Sequence, residues 1–368
     1  MLMLAGGRFL REGCQRVIMR KRMLTFIAAC LYYSGLVSLV RHWRQHSGRS
    51  LVILNYHQAS GGDLDRHLLY LRRHYRVLPL ETALEILYAR PNEGKQIRDR
   101  FTPLAITFDD GYHDNYTHAF PLARKFQIPI TIFVIPGYIE SGDCFWWLKG
   151  RRLVKHTTVS EVMIQGRVYR LNRPVERKAL AQVIDDRLRS ATSVAEREAF
   201  SASILQLLAA PSSRAAEEEA ALPLTWTQVQ EMEESGYVSF GAHTMHHPVL
   251  AYLTDYTEVQ NEVRDCRVVL GQQLGHPVRS FAYPIGQLQH IGDNVIGAVQ
   301  QAGYDWALTT LYGFNTPQTD PHLLRRIEVD VSQHWLVLAA QATGLWGVIS
   351  RLRWIPFIRS HFTNASPQ

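Results

Sequence analysis

Only four cysteines, Cys14, Cys30, Cys144 and Cys266, occur in the 368 residues, and no two form a CxxC pair. That spacing excludes a zinc ribbon and a disulfide framework, and it leaves reduced thiols with a lean towards a reducing compartment. Long hydrophobic runs are also scarce. The stretch "MLTFIAACLYYSGLVSLV" between Arg22 and Arg41 has eighteen uncharged residues, which is the lower limit for a spanning helix. No small-residue cleavage signature follows it, so a removed signal peptide is not expected. There is no internal repeat and no nucleic-acid-binding motif. With 46% hydrophobic and 20% charged residues, the composition excludes a disordered chain and a polytopic membrane protein.

The formal net charge is +7, and much of it sits in Arg8, Arg11, Arg16, Arg20, Lys21, Arg22, Arg41, Arg44 and Arg49. A spanning helix over 23–40 with this charge bias would place the N-terminus in the cytoplasm. The alternative is a helix packed on the protein or lying in the membrane interface, because tyrosines, Ser34, Gly35 and Ser38 dilute the stretch. A second apolar stretch, "WLVLAAQATGLWGVIS" at 335–350, is followed by "RLRWIPFIRSHF". It suits either headgroup contact through Trp346, Trp354 and Phe357 or a helix that closes the domain. A membrane surface is therefore an expected partner and nucleic acid is not. The expected location is the bacterial inner membrane, with the cytoplasmic or periplasmic face left open.

Between these ends, β-rich runs recur at 51–57, 104–110, 130–136, 238–244, 280–286, 306–310 and 323–329. Several are apolar on both faces, as in a parallel sheet covered by helices. Helical patterns separate them at 64–75, 225–236, 254–275 and 294–303. Thr225 is the expected N-cap and Gly236 the stop of the second of these. Seven strands alternating with helices predict an α/β fold, with a closed barrel as an option beside an open sheet. The rhythm breaks over about 141–222, where aromatic "CFWWLKGRRL", a small hairpin "EVMIQGRVYRL", helical "ERKALAQVIDDRLRSA" and "SSRAAEEEAAL" read as an insertion. The resulting division is an N-terminal basic and apolar helical segment at 1–50, a catalytic domain at 51–330 and a C-terminal amphipathic helical tail at 331–368.

Reactive residues of α/β barrels sit at the carboxyl ends of strands. One run there ends "TFDDG", with Asp109 and Asp110; another leads into "GAHTMHHP", with His243 and His247 four apart. One carboxylate with two histidines makes a divalent-metal set, suited to zinc or a harder ion. Two adjacent carboxylates in competition would repel. A cation on one frees its neighbour to act as a general base, which makes a hydrolytic pair.

"TFDDG", "HTMHHP" and "FAYPIG", with "ILNYHQ", "FWWL", "LTWTQVQEM" and "LRRIEV", resemble the polysaccharide deacetylase family, the NodB-homology or carbohydrate esterase family 4 group, and its exopolysaccharide-type members. The resemblance covers roughly 51–330. It implies a distorted (β/α)7 barrel and a hydrolase that removes N-acetyl groups from N-acetylhexosamine residues of a polysaccharide, lipopolysaccharide or lipid-linked glycan. It assigns Asp109 as general base, Asp110, His243 and His247 as ligands of a divalent ion (zinc first, with cobalt, manganese or nickel also fitting), and the backbone N–H of Ile285 as oxyanion donor.

Three departures stand out. Ile285 replaces the aromatic residue usual at that place. The arginine that orients the base in relatives has no clear match, since Arg279 lies several residues upstream of "FAYPIG". The general-acid histidine has only positional candidates, His322 foremost and then His334. His57 either lines the site or is a core histidine, and His113 and His246 are rim or surface residues. O-acetyl or N-formyl removal is the alternative of similar chemistry. A non-catalytic glycan-binding scaffold is the alternative of another class.

Overall fold

The computed structural model describes residues 19–90, 101–209, 219 and 221–347. Among the described residues there are ten strands: β1 Val52–Tyr56, β2 Arg76–Val77, β3 Pro103–Phe108, β4 Ile130–Val134, β5 Glu161–Ile164, β6 Arg167–Arg170, β7 Val238–Ala242, β8 Ser280–Ala282, β9 Trp306–Tyr312 and β10 Leu324–Glu328. Seven of them form a parallel sheet in the order β1-β10-β9-β8-β7-β4-β3, which closes because β1 also pairs with β3. The short β2 adds to the start of β3. The seven barrel strands are the seven β-rich runs of the sequence. Parallel strands wrapped by helices are buried on both faces, and β1 and β4 are buried at every residue.

The barrel interior is filled at its lower end by Leu51, Ile53, Ala105, Phe133, Leu308 and Leu324, with Leu80, Leu84 and Leu87 of helix Leu80–Tyr88 plugging the opening. Each such Leu, Ile or Phe side chain contributes roughly 1.5–3 kcal/mol by leaving water. Gly241 makes room for Phe133, because a Cβ there would lie 2.3 Å from the ring. The larger core lies outside the barrel, between strands and helices. Helix Trp226–Glu234 starts on Thr225 with a reciprocal capping box to Gln228 and stops at Gly236, whose φ is 73°, as the sequence predicts.

The inserted region has its own apolar core around Phe145, Trp146, Leu153, Leu180, Ile184 and Leu188. Its hairpin β5–β6 turns on Gln165 and Gly166, both at positive φ, the geometry that matches strand twist. Of "SSRAAEEEAAL", residues 212–218 and 220 lie outside the described residues.

The ends bear on two alternatives that the sequence left open. The 23–40 stretch is divided between helices Met19–Tyr33 and Leu36–His46, bent by 64° at the break. Among the described residues no single helix is long and apolar enough to cross a membrane. Helix Trp335–Ala342 is buried from Leu336 to Ala342, the packing of a helix that closes the domain. Trp354 and Phe357 lie outside the described residues.

Candidate metal centre

The strands run parallel, so their carboxyl ends share one rim. β3 delivers Asp109 and Asp110 there and β7 delivers His243. Non-glycine residues in left-handed backbone concentrate on this rim: Asp110 (φ 73°), Thr244 (66°), His247 (56°) and Ile285 (60°). For β-branched Thr and Ile this conformation is a genuine outlier, costing on the order of 1–3 kcal/mol each, and such strain gathers where surrounding structure fixes a functional geometry.

Asp110, His243 and His247 are all buried, and their ligand atoms lie within 4.8 Å of one another. The Nε2 atoms of His243 and His247 stand 3.5 and 3.6 Å from Asp110 Oδ1. Those gaps are too long for hydrogen bonds. They match donors sharing one small cation, since bonds of about 2.0–2.1 Å at tetrahedral angles separate ligands by about 3.3–3.4 Å. His243 Nδ1 lies 2.7 Å from the Ala282 carbonyl oxygen, the outer contact that leaves Nε2 free as a ligand. Burial and the neighbouring His243 push the His247 pKa down to about 3, so its imidazole is neutral, the ligating form. The donor set fits a divalent ion.

Asp109 faces a different environment. Burial alone would raise its pKa, but the Arg326 guanidinium, with help from His243, holds it well below the ordinary carboxylate range. Arg326 is fully buried and grips both oxygens, Nη1 to Oδ1 and Nη2 to Oδ2, each at 2.7 Å. Asn55 Nδ2 donates to Oδ2 at 3.0 Å. Arg326 is itself fixed by donating to the Thr309 carbonyl at 2.8 Å and to Asn55 Oδ1 at 2.9 Å. Asp109 is therefore ionised and oriented at the same time.

This supplies the orienting arginine that the sequence reading sought near Arg279. Arg279 instead pairs with Asp305 and Glu85 on the outer surface. The signal was present in "LRRIEV": alternate residues of a barrel strand face in and out, so one of two adjacent arginines must face inward. A buried arginine then demands a carboxylate.

The other candidates separate cleanly. Asn55 is in register with both Thr107 and Glu328; His322, six residues before Glu328, lies at the opposite end of the barrel, with Nε2 3.1 Å from the Tyr304 carbonyl oxygen. His334 caps helix Trp335–Ala342. His246 pairs with Glu262 at 2.6 Å.

His57 follows Tyr56, which is in register with Phe108, so it stands beside Asp109. It is half-buried and contributes to the field at both aspartates. Its loop is clamped by Asp114, whose Oδ2 accepts from the Ala59 and Ser60 amides and the Ser60 hydroxyl. Asn115 Nδ2 donates to the His57 carbonyl at 2.9 Å. Ile285 follows β8 on the rim, its carbonyl accepting from Thr310 Oγ1 at 2.7 Å.

The insertion reaches the same centre. Trp146 Nε1 donates to the His247 carbonyl at 2.9 Å, and the buried Arg197 donates to the carbonyls of His246 and His247 at 2.9 and 3.3 Å. The Trp147 ring centroid is 4.4 Å from that of His247, and its indole N–H bonds the Tyr112 hydroxyl at 2.8 Å. Sequence reasoning missed Arg197. "FWWL" carried the only trace of the tryptophans' role.

A barrel with Asp, His and His converging beside a second, arginine-held Asp defines a hydrolase-type centre. A family model described as polysaccharide deacetylase matches residues 98–307, more than half of the chain. The chain belongs to the polysaccharide deacetylase family. Its fold is similar to Streptococcus pyogenes deacetylase PplD (18% identity, TM-score 0.52, 80% of this chain and 99% of that one). IcaB from Ammonifex degensii is comparable (21% identity, TM-score 0.52, 80% and 98%). Bacillus subtilis (strain 168) YxkH is 34% identical over 95 residues, so the match spans 23% of this chain and about a third, 32%, of that curated relative. His57 and Arg326 both lie outside the family-matched residues.

Proposed function

We propose that this chain is a metal-dependent hydrolase that removes acetyl groups from N-acetylated hexosamine units of a glycan. The observation that carries the reading is the convergence of Asp110, His243 and His247 within 4.8 Å next to an aspartate whose two oxygens are held by Arg326. A divalent ion held by these three side chains would act as a Lewis acid towards an acyl carbonyl and an attacking water. Asp109 takes the proton from that water, oriented but kept a weak base by Arg326. His57, rather than His322, returns a proton to the departing amine, since His57 borders both aspartates and His322 lies at the far end of the barrel. The amide of Ile285 is the oxyanion donor. Trp147 forms an aromatic wall against which a sugar face can lie. The fold relative PplD is a complex with acetate, which is the product of the proposed reaction.

The test is acetate release from N-acetylglucosamine oligomers and O-acetylated glycans. The full chain would be stripped with chelator and refilled with zinc, cobalt, manganese or nickel. Metal-dependent release from the acetamides, absent in Asp109→Asn, is expected. Release only from O-acetyl esters would change the substrate class, and no release with any metal would sink the reading.

A further inference from the structure

Helix Met19–Tyr33 packs one side on the barrel through Ala28, Leu24 and Tyr32 against Leu336, Val337 and Trp335. The side facing away would ordinarily be polar. Instead Met19, Phe26 and Tyr33, spaced every seven residues, are 68%, 69% and 76% exposed. After the bend, helix Leu36–His46 buries Val37 and anchors Arg44 on the Thr343 carbonyl. It leaves Leu39 and Trp43 outward, 65% and 63% exposed. Isolated exposed apolar residues are ordinary, but five large ones on two consecutive helices are a concentration that calls for a partner.

Charge identifies the occupant. Residues 19–50, which carry both helices, hold six Lys or Arg (Arg20, Lys21, Arg22, Arg41, Arg44 and Arg49) and no Asp or Glu. This segment therefore carries +6 of formal charge in a chain whose total is +7. A basic segment with an exposed apolar and aromatic face suits the interface of an anionic bilayer. The face also has a defined relation to the centre. Lys21 Nζ donates to Ser332 Oγ at 2.8 Å in the loop that follows β10, and that loop bonds the one after β1 through Asp63 N and the Val331 carbonyl at 2.8 Å. Both loops leave the catalytic rim.

We propose that the two N-terminal helices lie flat in the headgroup region of an anionic membrane, exposed apolar side chains inward, and hold the barrel mouth at the membrane surface. This surface acts independently of the reaction assigned to the mouth, because vesicle binding is read without turnover. The test is co-sedimentation of the full chain with phosphatidylcholine vesicles, with and without about a quarter phosphatidylglycerol, at low and high salt. Binding at least ~10-fold tighter to the anionic vesicles and weakened by salt is expected. The combined Phe26→Ser, Leu39→Ser and Trp43→Ser variant should lose at least ~10-fold in binding and keep full acetate release from a soluble oligosaccharide. Arg20→Gln with Arg22→Gln, leaving the Lys21 bond to Ser332 in place, should lose chiefly the preference for anionic lipid. Equal binding to neutral and anionic vesicles, or unchanged binding by the serine variant, would overturn the proposal. So would a stable dimer in solution that the serine variant dissociates, since the face would then be covered by a second copy.

Discussion

The two sides of the centre are braced in opposite ways. Asp109 is held from inside the barrel by Arg326 and Asn55, on strands β10 and β1. The His243 to His247 loop is held from outside, by Trp146 and Arg197 of the insertion. The inner brace is fully buried and ionic, so its removal strands a charge. The outer brace consists of donors to backbone carbonyls, so its removal loosens a loop. The difference teaches that the barrel itself fixes the carboxylate proposed as the base, whereas the insertion braces the loop of the histidines proposed as ligands.

Asp109→Asn gives the sharpest break in that comparison. The amide keeps the shape and cannot take a proton, so kcat for acetate release should fall about 1,000-fold. The fold should persist, because Arg326 retains Asn55 Oδ1, the Thr309 carbonyl and the amide oxygen as acceptors. Circular dichroism alongside the assay separates the two effects; a variant of near-normal activity would remove Asp109 from the mechanism.

Arg326→Met acts on the same brace from its other end. A buried carboxylate without its cation costs about 3–5 kcal/mol, to be read as a lowered denaturant midpoint, and activity should fall with it. In wild type the lowered Asp109 pKa gives a stabilisation that is lost as pH falls; without Arg326 burial lifts the carboxyl above its unfolded value, so the variant instead loses stability as pH rises through its folded value. Arg326→Lys should rescue only in part, since an ammonium cannot pair with both oxygens at once.

Arg197→Met tests the outer brace. It removes donors to the His246 and His247 carbonyls while leaving the three metal-facing side chains in place. Supporting contacts of this kind alter metal affinity about 10- to 100-fold, so chelator competition for bound zinc should shift by that factor with global stability changed less than in Arg326→Met. Unchanged affinity would show that the insertion only packs beside the site.

What the sequence made legible follows the same division. The strands, the Asp109–Asp110 pair and the two histidines could be read because each depends on local pattern: a β-rich run, then a polar residue where it ends. Arg326 was legible in principle from the alternation of β10. Arg197 and Trp146 were not, because their partners lie 50 and 101 positions away and no period links an insertion to the loop it braces. His322 shows the reverse error, since lateness in the chain says nothing about height along a barrel. The bend at Tyr33–Gly35 escaped too, for an eighteen-residue apolar stretch has the same composition whether its helix runs straight or bends.

The smallest expected effect lies within the insertion, at Asp185, where helices Trp146–His156 and Pro174–Arg189 meet closely at Gly150. A Cβ on Gly150 would lie 2.2 Å from Asp185 Oδ1, which already accepts the Gly150 amide at 3.1 Å. Burial raises the Asp185 pKa to about 6, against the lowering effect of that hydrogen bond. A carboxyl whose folded value exceeds its unfolded one stabilises the fold fully below the unfolded value, near pH 4, and loses that contribution as pH rises through 6. The insertion should therefore open more readily at pH 7 than at pH 4.5 by this group alone. Asp185→Asn keeps the acceptor without the charge and should flatten that dependence, raising Tm at pH 7 by about 1–3 °C. Hydrogen exchange over residues 146–189 at the two pH values reads the local opening directly. Equal pH dependence in wild type and variant would assign the titration elsewhere, and a change in zinc affinity with it would show that this helix contact transmits to the Arg197 brace.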